Sequence, residues 1–288
     1  METPKRFRTI VVSDIHLGTS GSKVKEVTHF LKAYSCERLI LNGDIIDGWQ
    51  LKKFGEWKRK HTLFFKALIK MMAKHNTSVI YLRGNHDDFL DQILPLKLGK
   101  NFSIRKDYIL KSGGNRYYVT HGDIFDSVIS EMKWLAYLGD VGYTFLLWVN
   151  KLYNRYRVWR GLPYYSLSQK IKSRVKRAVS YISDFESKLT ELARSKDCIG
   201  VICGHIHFPS IRQIDGISYM NSGDWVESLS ALVEDHNGNW SLLYFSEADE
   251  VTPPKPAALP FENLFIGGEE KIVAFSRPRQ RQDTPLPR

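Results

Sequence analysis

The chain has 288 residues, 43% of them hydrophobic and 12% aromatic, enough to bury a large core in one domain with an insertion. That excludes a disordered or fibrous protein. Its formal charge of +11 points to an anionic partner: a nucleotide, a nucleic acid or an acidic membrane surface. Three cysteines, Cys36, Cys198 and Cys203, form no close pair, which excludes a disulfide frame or structural zinc site and predicts buried thiols in a reducing compartment.

The opening METPKRFRTIVV runs from charges into a short strand and has no signal-peptide core or cleavage site. Up to about residue 126, β-branched runs alternate with helical ones: TIVV, a helix from Ser22 to Tyr34, RLILNGD, a helix from about Trp57 to Lys74, SVIYLRGNHD and RYYVTHGD. This is α/β alternation, with polar residues at each strand's C-terminal end, the edge at which open α/β sheets build sites.

Residues 127–195 change to helical, aromatic and basic segments and read as an insertion. The apolar stretch Trp134 to Trp148 contains Asp140 and falls short of the roughly 20 residues a membrane span needs. The chain is therefore expected to be cytoplasmic, soluble or peripheral to the membrane's inner face. Strands return in CIGVICGHIH, GISYMNSGD, SLSALVED and NWSLLYF, the last two joined by the turn-like HNG. The core is thus 1–126 with 196–248, and 249–288 is a Pro-rich tail.

The strand ends carry the chemistry. Asp14 and His16 follow the first strand, Asp44 ends LNGD, Asn85, His86 and Asp87 sit in RGNHDD, His121 in THGD, and His205 and His207 in CGHIH. Each group lies beside a glycine that lets the chain turn. Carboxylate, amide and imidazole donors suit Mn²⁺, Fe²⁺ or Zn²⁺. The donor set is too large for one ion and right for two. Residues two apart on an extended chain face one way, so Asp14 with His16, and His205 with His207, are expected to project as pairs. Taken singly, DxH, GDxxD and GNHD are also compatible with ordinary turns; all five motifs in order favour a site. Asp47 either orients a ligand or caps a helix. His29, His61, His75 and His236 lie outside the motifs.

This series resembles the calcineurin-like metallophosphoesterase family over residues 8–246 apart from the insertion. The resemblance implies an α/β fold, a four-layer αββα sandwich. It implies that Asp14, His16 and His207 hold one metal, that Asn85, His121 and His205 hold the second, and that Asp44 bridges them. It further implies that His86, supported by Asp87, contacts the phosphate and protonates the leaving oxygen while water attacks phosphorus directly.

Residues 151–177 contain nine Lys or Arg and no acid, just after an apolar, aromatic stretch. That combination suits an amphiphilic phosphoester, with peripheral contact to an anionic membrane through 127–195. The plainer reading is an apolar helix packed on the core with a solvated basic face; nucleic-acid binding ranks below the lipid reading. The layout, with HGD at 121–123 and GDWVES at 223–228, resembles the UDP-2,3-diacylglucosamine hydrolase group of lipid A biosynthesis. That group implies pyrophosphate cleavage to UMP and an acylated sugar 1-phosphate, usually with two Mn²⁺ ions. It departs at GNHD, where the best-known members carry Arg in place of His86, a fixed cation exchanged for a titratable group. The alternatives are a phosphodiesterase of the same fold acting on a cyclic nucleotide, nucleic acid or phospholipid, or a binding protein with a vestigial metal site.

Overall fold

Alternation of apolar strand and amphipathic helix builds the first half of the chain into a mostly parallel sheet. In the computed structural model, residues 5–54, 56–124, 155–157, 159–160 and 167–245 are described. β1 (Lys5–Val12), β2 (Tyr34–Asn42) and β3 (Ser78–Leu82) lie parallel, joined by α1 (Val24–Ala33) and then by α2 (Gly48–Phe54) and α3 (Arg59–His75). β5 (Phe102–Arg105) extends the parallel set, and short β4 (Leu96–Leu98) closes that edge antiparallel. β11 (Ser230–Glu234) and β12 (Trp240–Tyr244) form a hairpin beside β1, giving seven strands in the order β12-β11-β1-β2-β3-β5-β4.

A second sheet has the order β6-β7-β8-β10-β9. It uses β6 (Asp107–Ser112), β7 (Asn115–Thr120), β8 (Gly200–Cys203), β9 (Ser210–Ile214) and β10 (Ile217–Asn221), with β7, β8 and β10 parallel. α4 (Leu167–Ser195) leads into β8.

Three buried clusters define four layers. Val27, Phe30, Phe64, Leu68 and Met71 of α1 and α3 pack on Ile10, Leu39 and Val79 of the seven-stranded sheet. Val11, Ile40 and Ile80 meet Val119, Ile202 and Met220 between the sheets. Phe185, Leu189 and Ala193 of α4 cover Tyr118, Val201 and Tyr219 on the far side. At ~25 cal/mol per Å² of apolar surface, each fully buried side chain of this size stabilises the fold by about 1.5–3 kcal/mol. This is the αββα sandwich that the family resemblance implies. Within 127–195, Phe185, Leu189 and Ala193 thus pack against the five-stranded sheet. The apolar stretch 134–148 and, within the basic run 151–177, residues 151–154, 158 and 161–166 fall outside the described residues. Among the described residues no helix is long and apolar enough to cross a membrane.

All three cysteines are free and buried. Burial pushes the Cys36 thiol up to about 12 and raises those of Cys203 and Cys198 as well. Since the thiolate is the reactive form, the native chain is expected to be inert to a disulfide reagent at mildly alkaline pH. All three thiols should react once guanidinium unfolds it; rapid native labelling would contradict this packing.

Candidate metal centre

The ends of β1, β2, β3, β7 and β8 open on one edge of the sandwich. There the backbone leaves the strand conformation abruptly: Asp14, His16, Asp44, His205 and His207 have φ of 52°, 51°, 53°, 69° and 55°. The left-handed region costs a residue with a Cβ roughly 1–2 kcal/mol. The pairs at 14/16 and 205/207 therefore do not reach the site by the side-chain alternation of an extended strand. Left-handed turns at the paired residues aim them inward. Hydrogen bonds between loops hold these turns, from Asp14 N to Gly43 O (3.0 Å), His16 N to Asp44 O (2.9 Å) and Trp225 N to Asp14 O (3.1 Å). Strain that the surroundings over-determine in this way is a feature of functional sites.

Each central carboxylate is half tied and half open. Asp14 Oδ2 accepts the His205 N–H at 3.0 Å, and Asp14 Oδ1, buried without a hydrogen bond, lies 3.1 Å from His207 Nε2 and 3.9 Å from His16 Nε2. Asp44 Oδ1 accepts the His86 N–H at 2.8 Å. Its Oδ2 lies 3.4 Å from His121 Nε2, 3.7 Å from His16 Nε2 and 3.9 Å from His86 Nε2. His121 Nδ1 is 2.9 Å from the Asn42 carbonyl, which can only accept, so Nδ1 carries the proton and Nε2 faces the cluster. His205 Nδ1 stands 3.3 Å from that Nε2.

Three groups have donor atoms close enough to share an ion: Asp14 with His16 and His207, Asp44 with His121 and His205, and His16 with Asp44 and His86. Asp44 and His16 each belong to two of them. Asn85 Oδ1 and His16 Nε2 are buried without hydrogen bonds. A buried polar atom left unpaired costs roughly 1–3 kcal/mol, so these atoms fit a cation that would complete them. Electrostatics agree. Burial opposes the charge on Asp14 and Asp44, yet the neighbouring imidazoles hold Asp14 far below the carboxylate range and bring Asp44 down to about 2. Burial likewise opposes a charged His121, but Asp44 and Asp14 outweigh it and push the imidazole up to about 10. A cation would take over the neutralising role of that proton.

In the GNHD motif the Asp87 carboxylate accepts from Ile45 N (3.0 Å), Ile46 N (2.8 Å) and the Tyr81 hydroxyl (3.0 Å), clamping the Asp44 loop to β3. Burial, with the charge of Asp44 adding to it, pushes that carboxyl up to about 7. The carboxylate beside His86 is Asp47, whose Oδ2 lies 3.0 Å from His86 Nδ1 and 3.4 Å from His16 Nδ1. Asp47 Oδ1 also accepts the Gln50 N–H at 2.8 Å at the start of α2, so it both orients imidazoles and caps a helix. Burial raises its pKa, but the bonds to His16 and His86 lower it further. Asp47→Asn is expected to reduce turnover or metal affinity by about 10–100-fold, the usual effect of losing a partner behind a ligand. Unchanged activity and metal content would remove that role.

Some neighbours of the site escaped the motif reading. Arg83, directly before GNHD, pairs with Asp123 of HGD and with Asp91 (2.8 Å), tying two strand ends together. Asp123 closes the HGD motif, whereas Arg83 only precedes GNHD and carries no signal of its own. Trp49, half exposed, places its ring 4.4 Å from that of His86. In GDWVES, Asp224 Oδ1 accepts from Val226 N (2.8 Å) and Glu227 N (2.6 Å), and Trp225 is fully buried. That motif shapes the loop behind Asp14 rather than contributing a donor to the cluster.

The family profile for calcineurin-like phosphoesterase matches residues 7–209. Among curated proteins, none is matched by the chain. Among solved structures, an archaeal phosphodiesterase aligns at 14% identity and TM-score 0.41, over 82% of this chain and 98% of its own. The Escherichia coli phosphoesterase YfcE aligns at 16% and 0.41, over 86% and 96%. Vps29 of Chaetomium thermophilum aligns at 10% and 0.39, over 82% and 93%.

Proposed function

The chain belongs to the calcineurin-like phosphoesterase family and is a metal-dependent phosphoesterase, and on that premise we propose that it hydrolyses a phosphodiester or pyrophosphate at a two-metal centre. The observation that carries the reading is the meeting of Asp14, His16, Asp44, His121, His205 and His207 around shared donor positions. Asp14, His16 and His207 would hold one ion, Asn85, His121 and His205 the other, with Asp44 between them. Two divalent ions there would supply Lewis acidity at the phosphoryl group and acidify the attacking water.

The chain's own groups do the rest. His86, beside Asp47 and facing Asp44 with Nε2, is placed to hold a proton for the leaving oxygen. Left-handed backbone at the ligand pairs fixes their direction before substrate arrives, so little reorganisation is needed on binding.

For the substrate we propose a nucleotide-linked or lipid-linked pyrophosphate of the UDP-2,3-diacylglucosamine kind. The motif order and the basic, aromatic composition of 127–195 support it. A second reading, another phosphodiester, is favoured by His86 standing where a fixed Arg is the rule in that group. The test is release of UMP from UDP-2,3-diacylglucosamine with added Mn²⁺, beside bis(p-nitrophenyl) phosphate. UMP release that is lost in an Asp44 variant supports the lipid substrate; hydrolysis of the aryl diester alone keeps the chemistry and rejects that substrate.

A further inference from the structure

The helical layer outside the seven-stranded sheet carries a charge pattern that the metal-centre chemistry does not use. α3, RKHTLFFKALIKMMAKH, has no acidic residue in its 17 positions. Its inner face buries Phe64, Ala67, Leu68 and Met71. Its outer face turns Arg59, Lys66, Lys70 and Lys74 to solvent, with Leu63 and Ile69 between them, 42% and 63% exposed. A helix face that has only to stay soluble is stabilised by Glu and Lys at i,i+4, whereas like charges at that spacing repel. Here the cations stand without an acid on their own helix, and two aliphatic side chains face water.

α1 lies beside α3 and adds Lys25 and Lys32, with one acid, Glu26, in its first turn. Between them runs a groove of about 480 Å³, lined by Lys25, His29, Lys32 and Lys60, with Val24 and Leu63 supplying apolar surface. The loop before α3 adds Trp57, 43% exposed. Residues 52–74 together hold eight Lys or Arg and one acid, Glu56.

We propose that this α1/α3 layer is a docking face for an anionic lipid surface, with a phosphate headgroup in the groove and Trp57, Leu63 and Ile69 at the headgroup–acyl boundary. Charge complementarity selects an anionic partner. The aliphatic side chains select lipid over nucleic acid, because bases stack on aromatic rings and find no use for Leu63 or Ile69. Trp at the edge of a cationic face suits the membrane–water interface, where one side of the indole is apolar and the other wet. The inference does not depend on which phosphoester is cleaved.

The test sediments the full chain with vesicles of phosphatidylglycerol mixed into phosphatidylcholine, and with phosphatidylcholine alone. Each lysine near an anionic surface contributes about fivefold to binding. The triple variant Lys25→Glu, Lys66→Glu, Lys70→Glu should therefore bind the mixed vesicles at least roughly 100-fold more weakly, with hydrolysis of a soluble aryl diester unchanged. The segment 127–195 is basic too, so amide exchange on the unaltered chain supplies an arm that needs no variant: mixed vesicles should protect residues 24–33 and 57–74. Undiminished binding by the triple variant, equal binding to both vesicle types, or protection confined to segments outside α1 and α3 would overturn the proposal. So would protection of α1 and α3 by a single-stranded oligonucleotide and not by vesicles.

Discussion

Asp44→Asn is expected to lower metal-dependent turnover by about 1,000-fold or more, because it removes the charge at the centre of the cluster, a contribution of several kcal/mol. Its Oδ2 lies within 3.4–3.9 Å of three imidazoles on three different strand ends. Asparagine keeps the shape and an oxygen that can accept the His86 N–H, so the loop has no reason to unfold. It cannot supply a second anionic oxygen to share between two cations. Bound metal measured on the purified variant should fall along with turnover, and the thermal midpoint of the metal-free chain should stay close to that of the wild type. An Asp44→Asn chain that keeps its metal and its activity would mean that the carboxylate does not bridge.

Gly84→Ala should be nearly as damaging, though the side chain it alters makes no chemistry. A Cβ there would lie 2.3 Å from Asp44 Oδ1, 2.5 Å from Asp44 N and 2.9 Å from His121 Cδ2. Two of those atoms belong to groups that the site must hold still, and one is backbone, so no rotamer relieves the clash. The Asp44 loop or the β3 end must shift, breaking the bond from His86 N to Asp44 Oδ1. A displacement on the order of 1 Å can cost about 100-fold in rate, and overpacking of this kind about 1–3 kcal/mol in stability. Gly204 stands in the same relation to Asp14, with a Cβ position 2.6 Å from its Oδ2. Turnover and the denaturation midpoint, measured together, separate the two effects. Wild-type turnover in Gly84→Ala would show that Asp44 is free to move.

The glycines beside the motif residues therefore act through close approach as much as through tight turning, and that was not readable from the sequence. What was readable followed from strong local patterns. TIVV, LILN and SVIYL are short apolar runs ending in polar residues, and their order with the intervening helices fixes a parallel sheet with its site at the strand ends. The strands not anticipated, β4, β5, β6 and β9, are short or alternate with exposed polar residues, so their pairing is settled by the sheet they join. α2 is only seven residues long and is announced chiefly by the Asp47 cap.

Side-chain direction was the least legible property. Asp87 adjoins His86 in sequence, yet its carboxylate turns to Ile45 N, Ile46 N and Tyr81, while Asp47, from another loop, reaches the imidazole. Sequence adjacency constrains the Cα separation but not the direction of neighbouring side chains. The same holds for Asp14 and His16. Their spacing is legible in the sequence, but the left-handed φ that aims them depends on hydrogen bonds from loops distant in the chain.

The most direct test of a two-metal phosphoesterase is to strip the chain with a chelator and titrate Mn²⁺ back, following bound metal and aryl-diester hydrolysis in one experiment. Saturation at two ions per chain, with turnover appearing as the second ion loads and absent from the Asp44→Asn chain, is the predicted result. Full turnover in the stripped chain, or saturation at a single ion with full activity, would contradict the account.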